Sequence, residues 1–265
     1  MAEAAPVTDW PTRSRGTKQV QGGWRSPGYR SGARRARWAL LAVGLATAGY
    51  GAQAVVAAVG LPVTAAARAG TLSVEQSSTY AAATSVVGVV AIVTFVPSVI
   101  AFLAWFSRWV ENVPPLTGQV PRRSPRTAIG TWFLPIANLG LPYAITRDTL
   151  DRLDPDRRSA ASRLVAAWWL TWLSANMLAS FASGMSRTAQ TPDGVQTAAV
   201  LTLVAMLLAT VNGVCALGMI ASANALSRSR AAALGLGDAV GPTWPRAAGA
   251  VRVDDAEPVG TQPVE

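Results

Sequence analysis

The side chains able to do proton or metal chemistry are few and unevenly placed. The densest carboxylates, Asp148, Asp151, Asp154 and Asp156, share one short stretch, where such groups can act as general acid and base or hold a divalent cation. The same stretch carries Arg147, Arg152, Arg157 and Arg158, so it reads instead as a solvated, ion-paired face. There is no histidine and a single cysteine, Cys215, within an apolar run. That inventory excludes histidine catalysis, the common Cys/His metal sites and an intramolecular disulfide. No glycine-rich phosphate loop, nucleophile elbow or internal repeat is visible. The expectation is a chain that is not an enzyme and takes no cofactor.

Uncharged polar groups are the other candidates. Asn176 and Asn212 lie near the middle of two long apolar runs, and Pro97 in a third frees the carbonyl of Val93 beside Thr94. At matching depth in a bilayer, Thr94, Pro97, Asn176 and Asn212 would make a polar layer. Interhelical hydrogen bonds of about 0.6–2 kcal/mol account for such a layer more simply than a ligand does. Trp168, Trp172, Asn176, Ser180 and Gly184 follow i,i+4 steps and share one helical face. That face is expected to pack against other helices rather than to line an aromatic groove.

The elements that must position these groups follow from where charge is missing. Apolar residues make up 51% of the chain and charged ones 14%, with mean hydropathy +0.29. Four segments, Trp38 to Leu61, Tyr80 to Phe106, Leu164 to Met185 and Thr197 to Leu226, are nearly free of charge. Each exceeds the roughly 20 helical residues that cross a bilayer core. The predicted fold is therefore all-α and integral to the membrane, a four-helix transmembrane bundle. Arg34, Arg35 and Arg37 before the first run imitate a secretory signal, but the run is longer than the roughly 7–15-residue core of one, so an uncleaved anchor is expected.

Charge also sets orientation. Arg13, Arg15, Lys18, Arg25, Arg30, Arg34, Arg35 and Arg37 precede the first span, and Arg68 alone follows it. Arg108, Arg122, Arg123, Arg126, Arg147, Arg152, Arg157, Arg158 and Arg163 lie between the second and third spans, and Arg187 alone after the third. Positive residues stay inside, so both termini are expected in the cytoplasm, at the inner (plasma) membrane. The net charge of +9 thus serves topology and does not point to nucleic acid. Residues 1–37 and 227–265, rich in small and polar residues, are expected to be disordered cytoplasmic tails flanking a membrane domain at 38–226. Lysine is nearly absent while Ala, Gly, Pro and Arg abound, as a GC-rich genome and an actinobacterial source would produce.

Between spans two and three, residues 125–153 hold a stretch apolar enough for a membrane but interrupted by Pro135 and Pro142. Arginine clusters on both sides argue against a fifth crossing, which stays the alternative, and the prolines disfavour an unbroken helix, so this segment is expected to be re-entrant or interfacial. Ser124 with Pro125 should open its first arm, and Pro142 its second, which ends at Asp154-Pro155. Asn138 is expected at the turn, its amide satisfying carbonyls that the prolines leave free. Trp38, Trp105, Trp109 and Tyr80 fall at span ends, where interfacial anchoring explains them. Gly44, Ala48 and Ala52, and Ala205, Ala209 and Gly213, repeat the small-x-x-x-small pattern of close helix contacts, in the bundle or in a homo-oligomer.

Three motifs stand out together: Trp105-x-x-Arg108-x-x-x-Asn112, then Trp132-Phe133-x-Pro135-x-x-Asn138-Leu139-x-x-Pro142-Tyr143, then Trp168-Trp169 with Trp172. Over residues 80–225 the chain resembles an actinobacterial multi-pass membrane-protein family, domain of unknown function 4328. Gly140 departs from it, since the family tends to carry a bulkier residue there. The resemblance implies a multi-pass membrane protein and no particular activity. The expected role is an interaction protein whose cytoplasmic face docks a protein or anionic lipid, with the bilayer as its constant partner. A channel or transporter component is the alternative.

Overall fold

The computed structural model describes residues 28–236. Its elements are α1 (Ala33–Arg68), α2 (Val74–Glu111), α3 (Val113–Thr117), α4 (Pro125–Gly130), a 3-10 turn (Ala137–Leu139), α5 (Leu141–Leu153), α6 (Ala160–Thr188) and α7 (Pro192–Ala233). Four of them, α1, α2, α6 and α7, are long and apolar enough to cross a membrane.

Local sequence explains the ends. Ser73 and Gln76 form a reciprocal capping box at the start of α2, and Ser124, Ser159 and Thr191 cap α4, α6 and α7 through their hydroxyls. Gly70, at φ +69°, turns the chain out of α1, a left-handed conformation that a side chain would resist. Pro62 and Pro97 sit inside α1 and α2 without ending them.

The long helices outrun the spans read from hydropathy. Residues 33–37, expected in the disordered tail, are the first turns of α1, because Ala36 and Ala39 are fully buried there and Arg35 Nη1 donates to Ala104 O at 3.0 Å. Residues 227–233 likewise continue α7, with Ser227 and Ala231 buried. The remainder of both predicted tails, 1–27 and 237–265, lies outside the described residues.

The four long helices do not close into a ring. α6 packs on α7, α7 on α1 and α1 on α2, whereas the backbones of α2 and α6, at the two ends of this arc, stay apart and the helices meet through the rings of Phe102 and Trp168. α4 lies against α2, and α5 against α6, so the broken segment bridges the gap at one end. That is the arginine-rich end: Gly32 lies beside Arg108 and Asn224 there, and Arg30, Arg34, Arg35 and Arg37 join Arg228 and Arg230. At the opposite end Arg68 pairs with Asp193 at 2.9 Å, tying α1 to α7.

Close approach of α1 and α7 rests on small residues, but not all of those the pattern named. Gly213 is buried against the Thr47 side chain, and Ala205 is fully buried. On α1, however, Ala48 and Ala52 are exposed and a β-carbon at Gly44 would meet nothing; the buried small residues are Ala46, Gly49, Ala54, Ala57 and Gly60, of which Gly49 lies against Thr94 and Gly60 against Tyr80, both of α2. Small residues on several faces of α1 gave the sequence pattern more than one equivalent register.

Candidate functional site

Where the broken segment meets α2 and α6, aromatic rings fill the gap. Trp132, at the end of the turn following α4, lies 5.5 Å from Phe102 and 6.3 Å from Phe106 of α2, ring centre to ring centre. On its other side it meets Trp168, Trp169 and Trp172 of α6 at 6.1, 6.1 and 6.3 Å. Tyr143 of α5 stacks on Trp169. Trp105 and Trp109, expected as interfacial anchors, are instead buried to 1% and 2% exposure and stack on one another within this cluster. Hydropathy could not foresee this, because a span end facing the broken segment is not a span end facing lipid. Trp38, at 64% exposure, is outward-facing. Three separated motifs of the sequence, around Trp105, Trp132 and Trp168, thus meet in one plug.

Beyond the plug, at mid-length of the helices, is a cavity of about 400 Å³. Val43, Thr47 and Tyr50 of α1, Phe95, Ser98 and Phe102 of α2, Trp168, Trp172 and Asn176 of α6, and Met206, Ala209 and Asn212 of α7 line it, with Trp132, Phe133 and Asn138 at the plug. Its lining holds no charged side chain. The volume is that of a site for a small organic molecule.

The predicted polar layer is assembled only in part. Asn212 and Asn176 both border the cavity; Asn212 donates across to Trp168 O of α6 at 2.7 Å, whereas Asn176 donates to Trp172 O of its own helix at 2.7 Å. Thr94 faces Gly49 of α1 and donates to Val90 O and Ala91 O, and Pro97 does not line the cavity. The i,i+4 face of α6 is split too: Trp168, Trp172 and Asn176 face the cavity, while Ser180 and Gly184 are exposed. Thr47, Tyr50 and Ser98 were missed by the sequence reading, which weighed amides and tryptophans and passed over single hydroxyls inside apolar runs.

Asn138 does not do what was expected of it. Its backbone N–H donates to Leu134 O at 2.7 Å, and the turn closes through Leu139 N to Ile136 O and Gly140 N to Ala137 O. Its side chain makes no hydrogen bond, and its Oδ1 is buried without a partner. Trp132 Nε1 is in the same condition. Two residues at the cavity thus each bury an unmatched polar atom, one donor and one acceptor, at a cost of about 1–3 kcal/mol each. Pro135, Leu134, Ile136 and Leu139 form an exposed apolar tip, with Ile136 at 87% exposure. Pro142, in the first turn of α5, is buried.

At the arginine-rich end Asn112 and Arg108, from the first of the three sequence motifs, make structural contacts. Asn112 is buried and clamps residue 30, its Nδ2 donating to Arg30 O at 2.9 Å and its Oδ1 accepting from Arg30 N at 3.3 Å. Arg108 pairs with Glu111 at 3.0 Å.

Of the four clustered carboxylates, Asp148, Asp151 and Asp156 pair with arginines, but Asp154 is buried. It accepts from Arg158 N at 3.0 Å, and from Ser159 N and Ser162 Oγ at 2.8 Å each, which joins the end of α5 to the start of α6. Burial alone would raise its pKa, but the hydrogen bonds from Ser159, Ser162 and Arg158 outweigh burial and hold it at about 2, below the ordinary 3.8. Its folded pKa lies under its unfolded one, so the stabilisation, about 2 kcal/mol, is present at neutral pH and fades as pH falls from about 4 toward 2. Asp154→Ala is accordingly expected to cost at least about 2 kcal/mol at pH 7 in thermal unfolding, with the gap to wild type narrowing below pH 4.

Among the described residues no group of His, Cys, Asp and Glu could hold a metal ion. No curated protein and no solved structure matches the chain. The model of a family described as domain of unknown function (DUF4328) matches residues 68–225, a stretch that takes in the plug and most of the cavity lining. This is more than half of the 265 residues, and the chain belongs to that family.

Proposed function

We propose that this is a non-enzymatic protein of an actinobacterial plasma membrane, with both termini cytoplasmic, that binds a neutral, largely apolar molecule in the cavity between its spans. The supporting observation is the cavity itself: an uncharged lining that includes Trp132 and Asn138, residues whose Nε1 and Oδ1 are buried beside it without partners. A charged ligand would meet no counter-charge there and would bear the cost of desolvation alone. An acyl chain or a small lipid carrying one hydroxyl or carbonyl suits both the walls and the unmatched groups.

Access follows from the helix order. The cavity is walled by all four long helices, and the separation of the α2 and α6 backbones beyond the Phe102–Trp168 contact would let a molecule enter from the side where lipid would be. The plug closes the gap toward the arginine-rich end, and the exposed apolar tip around Ile136 suits a broken segment dipping into the bilayer, its backbone satisfied by its own turns. A channel or transporter component would use the same cavity as a station on a path, and the plug would have to open. A photoreactive diacylglycerol in nanodiscs is expected to label Trp172, Asn176 or Met206. Labelling confined to outward-facing residues such as Trp38, Val55 and Leu170 would contradict the cavity reading.

A second reading, docking of protein or anionic lipid at the cytoplasmic face, is favoured by the gathering of arginines from α1, α2, α5 and α7 at one end.

A further inference from the structure

A small crevice at the arginine-rich end, sharing no residue with the cavity, carries a separate set of unmatched groups. It holds about 90 Å³ and is lined by Pro121, Arg122, Arg123, Ala144, Ile145, Asp148 and Thr149, so it lies between the loop before α4 and the middle of α5. The space equals roughly three water volumes. Arg123 Nη1 and Thr149 Oγ1 are both buried there with no partner. The Thr149 hydroxyl is the more telling, because Thr146, on the same helix, returns its hydroxyl to Pro142 O at 2.7 Å, as helical threonines commonly do. Thr149 leaves its hydroxyl free although the residue is 1% exposed.

A guanidinium nitrogen can only donate, so the partner missing at Arg123 is an acceptor. The one carboxylate in the crevice is already engaged: Asp148 accepts from Arg152 Nε at 3.1 Å and Nη2 at 3.0 Å, and from Arg122 N at 3.4 Å. Arg122 Nε lies a further 3.5 Å from it, on a side chain 83% exposed. Two guanidinium groups, those of Arg152 and Arg122, therefore engage the one carboxylate, and Arg123 adds a further positive charge that pairs with no carboxylate, which leaves the crevice positive and unsuited to a cation. We propose that this crevice binds a phosphate-type oxyanion, with Arg123 and Thr149 donating to its oxygens and Arg122 at its mouth. Charge-assisted bonds from a guanidinium to phosphate oxygens are the strong ones, and a hydroxyl donor beside them adds geometric selection.

The oxyanion has two possible sources, the headgroup of an anionic lipid or a free phosphate. The lipid source rests on the reading that this end meets a membrane surface; the free-anion source does not, so the two can fail separately. The test is thermal unfolding of the full chain in a neutral detergent with added phosphatidylglycerol, with inorganic phosphate, and with chloride at matched ionic strength. At about ten times the dissociation constant, the occupant is expected to raise Tm by about 3 °C over the chloride control. A rise with inorganic phosphate assigns a free anion; a rise with the lipid alone assigns a headgroup. Arg123→Gln and Thr149→Val are each expected to weaken that response about tenfold or more, and Thr149→Ser to keep it. Arg126→Gln, an exposed arginine outside the crevice, is expected to leave it unchanged. Thr149→Val is nearly isosteric, so it decides the matter if Arg123→Gln does not fold. Absence of any rise over chloride would overturn the site, as would an Arg126→Gln loss equal to that of Arg123→Gln, which would mean diffuse charge.

Discussion

Replacing the partly buried Trp132 by alanine is expected to lower the stability of the membrane domain by about 3 kcal/mol, the low end of the cost of emptying a fully buried aromatic site. The reason is positional. Trp132 is the ring that touches both edges of the open arc, Phe102 and Phe106 on α2 and Trp168, Trp169 and Trp172 on α6. The backbones of α2 and α6 stay apart there, and without Trp132 the direct ring contact left between them is that of Phe102 with Trp168, at 6.0 Å. Trp132→Phe should recover a good part of the loss, because aromatic pairs add about 0.5–1.5 kcal/mol beyond buried area and phenylalanine keeps some of them. Thermal unfolding followed by size-exclusion chromatography in detergent measures both variants. If Trp132→Ala unfolds within about 0.5 kcal/mol of wild type, the plug does not hold the arc together.

Gly213→Leu is expected to cost about 3 kcal/mol or to prevent folding, by driving α1 and α7 apart. A β-carbon at Gly213 already falls on Thr47, 2.8 Å from Cγ2 and 2.9 Å from Cβ, in a contact between two long helices that has no slack. Gly213→Ala should show the same effect at about 1–3 kcal/mol. Combining it with Thr47→Ala removes Oγ1 and Cγ2 from the collision, so the double variant is expected to be more stable than the two single losses added together. Strict additivity in that cycle would mean that the two residues do not meet.

These two positions also show how far the sequence could be read. The four long helices were legible because apolar length and missing charge are properties of single segments. Proline alone does not end a helix, as Pro62 and Pro97 inside α1 and α2 show; between Pro125 and Leu153 the structure has two helices, Pro125–Gly130 and Leu141–Leu153, with a 3-10 turn between them. Gly213 was legible as a small residue on a helix, but its partner Thr47 was not, since spacing on α1 allowed several faces. The burial of Trp105 and Trp109 was hidden for a related reason: a tryptophan near a span end serves lipid or protein equally well, and only the packing of the broken segment against α2 decides it. Asp154 looked like its neighbours Asp148, Asp151 and Asp156, and only the chain reversal between α5 and α6 buries it. The cavity was the least legible feature, being a property of the gap between helices that no single segment contains.

The central claim, a cavity that holds a neutral apolar molecule, is tested most directly by native mass spectrometry of the full chain released from mild detergent after purification from its own membranes. The wild type is expected to carry one neutral adduct per chain, and Ala209→Phe, which places a ring in the cavity, to lose it while remaining folded. A bare wild-type chain, or an adduct retained unchanged in folded Ala209→Phe, would contradict the account.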